Sequence, residues 1–310
     1  MFMLTFFFLI MMVLISVGYF TLLERKVLSY IQYRSGPNSV GFLGLFQPFS
    51  DGAKLFFKEY FFPMNCNFFF FFFSPILGLF YSLLTWMIMP FLSNLLMFNY
   101  SLIFLLCLLS LSIYFIIIMG WSSNSIYSLL GSIRGISQSI SYEVSLSIIL
   151  VCYFILIDGY DFFSLMIFQE SIWFFFISVP LFFCWFSCCL AESNRSPYDF
   201  SEGESELVSG FNIEYSSMMF SFIFISEYCS IIFMSMLSCM IFFGANFYSY
   251  YFYLKLCFFC FIYILIRSSF PRYRYDKLMY LTWKCYLPFS LNFLFFIVFL
   301  KSFVIYHLIL

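Results

Sequence analysis

Residues 68–121 read FFFFFFSPILGLFYSLLTWMIMPFLSNLLMFNYSLIFLLCLLSLSIYFIIIMGW and carry no charged side chain. The uncharged run extends further, from Tyr60 to Ile133. A membrane-spanning helix needs roughly 20 apolar residues, so this one stretch holds more than one crossing. The rest of the chain has the same character. It is 64% hydrophobic and 9% charged, with a mean hydropathy of +1.00, whereas a soluble domain carries about a quarter charged residues. The fold class predicted is all-α: a polytopic membrane protein forming a single transmembrane domain over residues 1–310.

Eight spans are expected, at about 2–24, 67–91, 100–121, 135–157, 171–191, 215–243, 250–268 and 285–305. The N-terminal MFMLTFFFLIMMVLISVGYF lacks the basic region and small-residue cleavage site of a signal peptide, and its apolar run is too long. It is read as the first span. Lys and Arg fall almost wholly on the odd-numbered connections: Arg25, Lys26, Arg34, Lys54 and Lys58 on the first, Arg134 on the third, Arg195 on the fifth, Arg272, Arg274, Lys277 and Lys284 on the seventh. The positive-inside rule then puts those loops, at about 25–66, 122–134, 192–214 and 269–284, on the inner face and both termini outside. In the first loop, Leu45, Phe46, Phe49, Ala53, Phe56 and Phe57 recur at helical spacing while Asp51, Lys54 and Lys58 take another face. That is the pattern of an amphipathic helix lying in the interface, either a simple anchor or the lip of a cavity.

Composition also excludes functions. A net charge of −1 without a dense basic run gives no sign of nucleic acid. The 11 cysteines lie mostly in apolar runs, where Cys behaves as a small hydrophobe, and the C-x-x-C at Cys257 and Cys260 has no second pair at ligand spacing. With one histidine, His307, the chain cannot bracket a membrane haem. Any electron carrier belongs to another subunit. The 53 phenylalanines suggest T-rich codons in an organellar genome as much as selection.

Against this background the carboxylates stand out. Glu143 lies inside the fourth expected span, Glu227 midway along the sixth, and Glu192 at the end of the fifth. A carboxylate at the bilayer centre costs about 2.5–3.5 kcal/mol. A protonated carboxyl bonded to a neighbouring helix would explain one of them. Several, with Tyr142 beside Glu143, favour a proton relay. Residues 191–215, AESNRSPYDFSEGESELVSGFNIEY, gather six acids of the chain's 15 around one cation, Arg195. Acids so close repel one another, and in a sheltered pocket some are held protonated. A solvated acidic loop is the plainer alternative.

Four segments, ERKVLSYIQYRSGPNSVGFLGLFQPFSDGAKLFFKE, GSIRGISQSISYEVSL, AESNRSPYDFSEGESELVSGFNIEY and RSSFPRYRYDKLMYLTWKCYLPFSL, resemble the signature regions of the subunit 1 family of NADH dehydrogenases, the mitochondrially encoded core membrane subunits of respiratory complex I. The departures are mild: Ser at 193 and 196 in place of Thr, Ser at 137 or nearby in place of Ala, and heavy Phe substitution within spans. The resemblance implies a mitochondrial inner-membrane subunit with no redox centre of its own, which takes ubiquinone as substrate. Flavin and iron–sulfur clusters would reside in partner subunits of the peripheral arm, and other membrane subunits and lipid would surround it. It implies a quinone-tunnel role for Glu24, Arg25, Arg34, Lys54, Arg195, Asp199, Glu202 and Arg274. It implies a proton path through Tyr142, Glu143, Glu192, Glu202, Glu204 and Glu227. Two other classes suit buried glutamates in a helical bundle: a proton-coupled secondary transporter and the related subunit of a membrane-bound hydrogenase. The chain shows neither an internal repeat nor paired interrupted helices, which disfavours the transporter.

Overall fold

A computed structural model describes residues 2–89, 98–203 and 207–309. Its elements are helical: α1 (Phe2–Ile31), α2 (Gln47–Phe57), α3 (Phe68–Leu84), α4 (Ser101–Ser122), α5 (Ile126–Ile157), α6 (Phe162–Phe168), α7 (Phe174–Ile177), α8 (Val179–Glu192), α9 (Ser217–Phe242), α10 (Tyr250–Ser269), α11 (Tyr275–Leu281) and α12 (Leu287–Ile309). Among the described residues, seven helical stretches are long and apolar enough to cross a membrane, and Val179–Glu192 is a shorter apolar helix. The expected eight-span bundle is therefore seven full crossings and one broken one. The break at Ser178 has a local cause. Pro180 falls in the first turn of α8; it has no N–H to give the Phe176 carbonyl, and its ring would crowd that carbonyl in a continuous helix. Ser178 lends its hydroxyl to Tyr153 instead.

Side-chain bonds fix the directions of the central helices. Tyr153 meets Ser178, Ser145 meets Cys188, and Gln138 meets the carbonyl of Ala191, so α8 runs antiparallel to α5. The opposite end, away from the cationic loops, is pinned twice. Gln169 donates from Nε2 to the carbonyls of Met240 (3.0 Å) and Ile241 (2.9 Å) and accepts from the Gly244 N–H (2.7 Å), satisfying the end of α9. Lys301 of α12 pairs with Asp158, the left-handed cap of α5.

Helix α1 runs to Ile31 rather than 24, and two further boundaries and one depth differ from expectation. Helix α5 starts at Ile126, not 135. Ser128, Ser132, Ser137 and Ser139 return their hydroxyls to carbonyls three or four residues back, so this polar run stays helical and carries Arg134 within it. The last crossing begins at Tyr275, not 285, and passes through a π-helical turn at Thr282–Tyr286. Pro288 cannot donate to the carbonyl four residues back, and a wider turn accommodates that. The last difference concerns depth. Gln138 reaches the end of α8, and Gln138 is 12 residues beyond the start of α5, or about 18 Å at 1.5 Å per residue. The acidic loop therefore starts deep in the bundle. Arg195, Tyr198, Phe200, Ser201 and Asn212 are buried. Irregular backbone at that depth is tolerated only where protein covers it.

Candidate functional site

The acidic loop is shaped by close backbone approaches. Gly210 sits at φ +58°, and a Cβ there would lie 1.7 Å from the Ser201 carbonyl oxygen. A Cβ on Gly131 of α5 would lie 2.8 Å from the Phe211 nitrogen. Only hydrogen fits at either place, so the loop folds on itself and presses against α5.

One cluster forms where α1, α9 and α10 meet the loop. Glu24 is 6% exposed. It pairs with Arg267, accepts a 2.6 Å bond from the Tyr228 hydroxyl, and lies 3.8 Å from Arg195. The Arg195 guanidinium stacks 4.5 Å over the Tyr228 ring. Burial works against its charge, but Tyr228, Glu24, Glu227 and Glu202 together hold its pKa above the usual arginine value.

A second cluster holds the acids. Asp199 pairs with Arg272 at 3.2 Å. Burial nonetheless pushes its pKa up, with Arg272 and Arg195 opposing. Glu202 is also pushed up, by burial first and then by the charge of Asp199, against the pull of Arg195. Asn212 donates 2.9 Å to its Oε1. The Glu202 and Glu227 side chains are in hydrogen-bonding contact, and two carboxyls can bond only by sharing a proton. Beyond Glu227 opens a cavity of about 80 Å³ between α3, α4, α5 and α9. Glu192 lines it too, with the hydroxyl-bearing residues Ser112, Ser139, Ser226 and Ser230. That volume admits several waters, at ~10–15 Å³ each. Glu143, half-buried, is close enough to Glu192 for their charges to interact, and so is Tyr142. The arrangement can pass a proton from the loop through Glu202 and Glu227 to Glu192. No group of three or more metal-ligating side chains occurs among the described residues.

A family model described as NADH dehydrogenase matches residues 4–298. The chain belongs to the NADH dehydrogenase family. It is 55% identical over 297 residues to the NADH-ubiquinone oxidoreductase chain 1 of Anopheles gambiae, covering 96% of this chain and 95% of that one. The same protein of Locusta migratoria is 56% identical over 298 residues, with the same coverage. That of Artemia franciscana is 49% identical over 286 residues, 92% and 94% of the two chains.

In this NADH dehydrogenase family member, the expected site residues fall into two sets. Glu24, Arg195, Asp199, Glu202 and Glu227 come together, and Glu192 lines the cavity with Glu143 and Tyr142 near it. Arg25, Arg34, Lys54 and Arg274 do not join them. Arg25 pairs with Asp51 of α2 at 2.6 Å, Arg34 bonds Gln32, Lys54 is exposed, and Arg274 pairs with exposed Asp276 at 2.9 Å. Glu204 lies outside the described residues. The structure adds Tyr228, Arg267, Arg272, Asn212 and Gln138. Arg272 was visible as a loop cation, but nothing in the sequence ranks it above Arg274. Arg267 falls inside an expected span, and the other three carry no spacing signal.

Proposed function

We propose that this chain is a core membrane subunit of NADH-ubiquinone oxidoreductase, which forms the membrane part of the ubiquinone tunnel and begins the carboxylate chain that couples quinone reduction to proton translocation. It sits in the mitochondrial inner membrane with both termini toward the intermembrane space. Partner subunits hold the flavin and iron–sulfur clusters and deliver the electrons. The observation that carries this reading is the contact between Glu202, on a loop also held by Arg195 and Arg272, and Glu227, on the wall of a cavity shared with Glu192.

On the quinone side stand Glu24, Arg25, Arg34, Lys54, Arg195, Asp199, Glu202 and Arg274. The exposed members of this set face outward for a partner subunit or the quinone headgroup. The proton side is Tyr142, Glu143, Glu192, Glu202, Glu204 and Glu227. Electrons arriving at quinone create negative charge near the loop. That charge favours protonated carboxyls, so Asp199 and Glu202 take up protons. As quinone is neutralised, a proton moves from Glu202 to Glu227 and across the cavity to Glu192. The test is Glu227→Gln in the assembled complex, which keeps the shape and removes the titrating group. Quinone reductase turnover and proton uptake into sealed vesicles should both fall. Unchanged translocation in that variant would remove Glu227 from the path.

A further inference from the structure

Gln138 is fully buried on α5, one turn before Tyr142. Its Nε2 faces three oxygens: the Tyr198 carbonyl at 2.7 Å, the Ala191 carbonyl at 3.0 Å and Asn194 Oδ1 at 3.1 Å. Backbone carbonyls only accept, so the nitrogen must face them and Oε1 is turned away. Oε1 has no hydrogen-bond partner, and neither has the buried hydroxyl of Tyr142. Residues four apart share a helix face, and the Tyr142 and Gln138 side chains are within reach of each other. An acceptor and a hydroxyl without partners thus lie on neighbouring side chains of one helix face. Two N–H hydrogens for three acceptors also leave the amide a choice of partners. A small shift of the 191–198 backbone changes that choice and turns the amide.

We propose that Gln138 is a positioning residue, which orients the Tyr142 hydroxyl beside Glu192 and ties that orientation to the acidic loop. Loop movement then reaches the proton path through one amide. This inference rests on the proton path proposed above.

The experiment uses the assembled complex in sealed vesicles with Q138L, Y142F, the double variant and Q138E. Quinone-linked turnover should fall about tenfold in Q138L, within the usual range for a coupling contact, and by no more in the double variant, because residues acting as a unit are non-additive. Losses that multiply would overturn the proposal, and so would Y142F at the unaltered rate. Q138E adds a readout that simple packing would not move. A neutral carboxylic acid can donate to the Tyr198 carbonyl and accept from Tyr142, whereas a carboxylate would face three oxygens. Its turnover should stand near the unaltered level at acid pH and fall as pH rises, and a flat profile would overturn the proposal. Glu192→Gln separates the two ideas. Normal translocation in that variant would sink the proton path, while the cycle and the Q138E profile would still decide the role of Gln138 from turnover alone.

Discussion

Glu24 and Arg267 are 243 positions apart in the chain and form one ion pair, which ties α1, about two turns before its end, to the end of α10, with Arg195 3.8 Å from Glu24. Glu24→Gln keeps the shape and removes the charge. Arg195, buried, then loses part of its compensation. Breaking a fully buried pair costs about 3–5 kcal/mol, but Arg267 is 41% exposed and its share is screened. A net loss of about 1–3 kcal/mol follows. Differential scanning of the assembled complex should show a lower melting temperature, with a raised quinone KM.

Glu202 should report the redox state through its proton. Its pKa is raised, chiefly by burial and then by Asp199. A group whose folded pKa is raised contributes stability at low pH and loses it as pH rises through the folded value. Glu202→Gln abolishes that loss, so the variant should gain stability over the unaltered protein as pH rises above the ordinary carboxyl range. In infrared difference spectra of oxidised against quinol-reduced complex, a carboxyl-stretch band should disappear in this variant. Identical spectra would mean that Glu202 does not follow the quinone.

Arg272 and Arg274 differ by two positions and should differ in effect. Arg272 opposes the upward push of burial on Asp199, so Arg272→Ala raises that carboxyl further. Proton uptake at the loop should then persist to higher pH than in the unaltered protein. Arg274→Ala removes only an exposed pair with Asp276 and should leave this titration where it was. The proton count per quinone reduced, measured across a pH series, distinguishes them.

Gly210→Ala should abolish the acidic loop. The left-handed backbone costs about 1–2 kcal/mol for any other L-residue, and the added Cβ collides with the Ser201 carbonyl. Little assembled complex is expected on a native gel. Gly52→Ala in α2 is the control. Nothing lies within 4 Å of a Cβ there, and helix propensity favours Ala by roughly 0.5–1 kcal/mol.

The crossings were legible because hydropathy depends on composition, and this composition leaves few alternatives. The amphipathic helix was legible from the helical spacing of its apolar residues, and Gln47–Phe57 forms it. Depth was not. Hydropathy placed Glu192 at a membrane boundary because a charge ended an apolar run, whereas contacts along α5 put it well within the bundle. Arg134 misled in the same way, since a charge inside a serine-rich helix looks like the end of a loop. Gln138 gave no signal at all. A lone amide among serines has no period and no partner in sequence, and its bonds run to carbonyls more than 50 positions away.

The deep seat of the α8 terminus has an electrical meaning. A lipid bilayer drops its voltage across the hydrocarbon layer, and the recessed loop thins that insulator locally. On the proposed path, a proton that travels from the inner surface to Glu192 crosses whatever part of the drop lies along the loop. Moving a whole charge across 100 mV takes about 2.3 kcal/mol, so loading Glu192 would take on the order of 1 kcal/mol at that voltage if half the drop lies along the loop. On that proposal, the quinone half of the cycle would itself generate current, and a charged membrane would brake it before any later step begins.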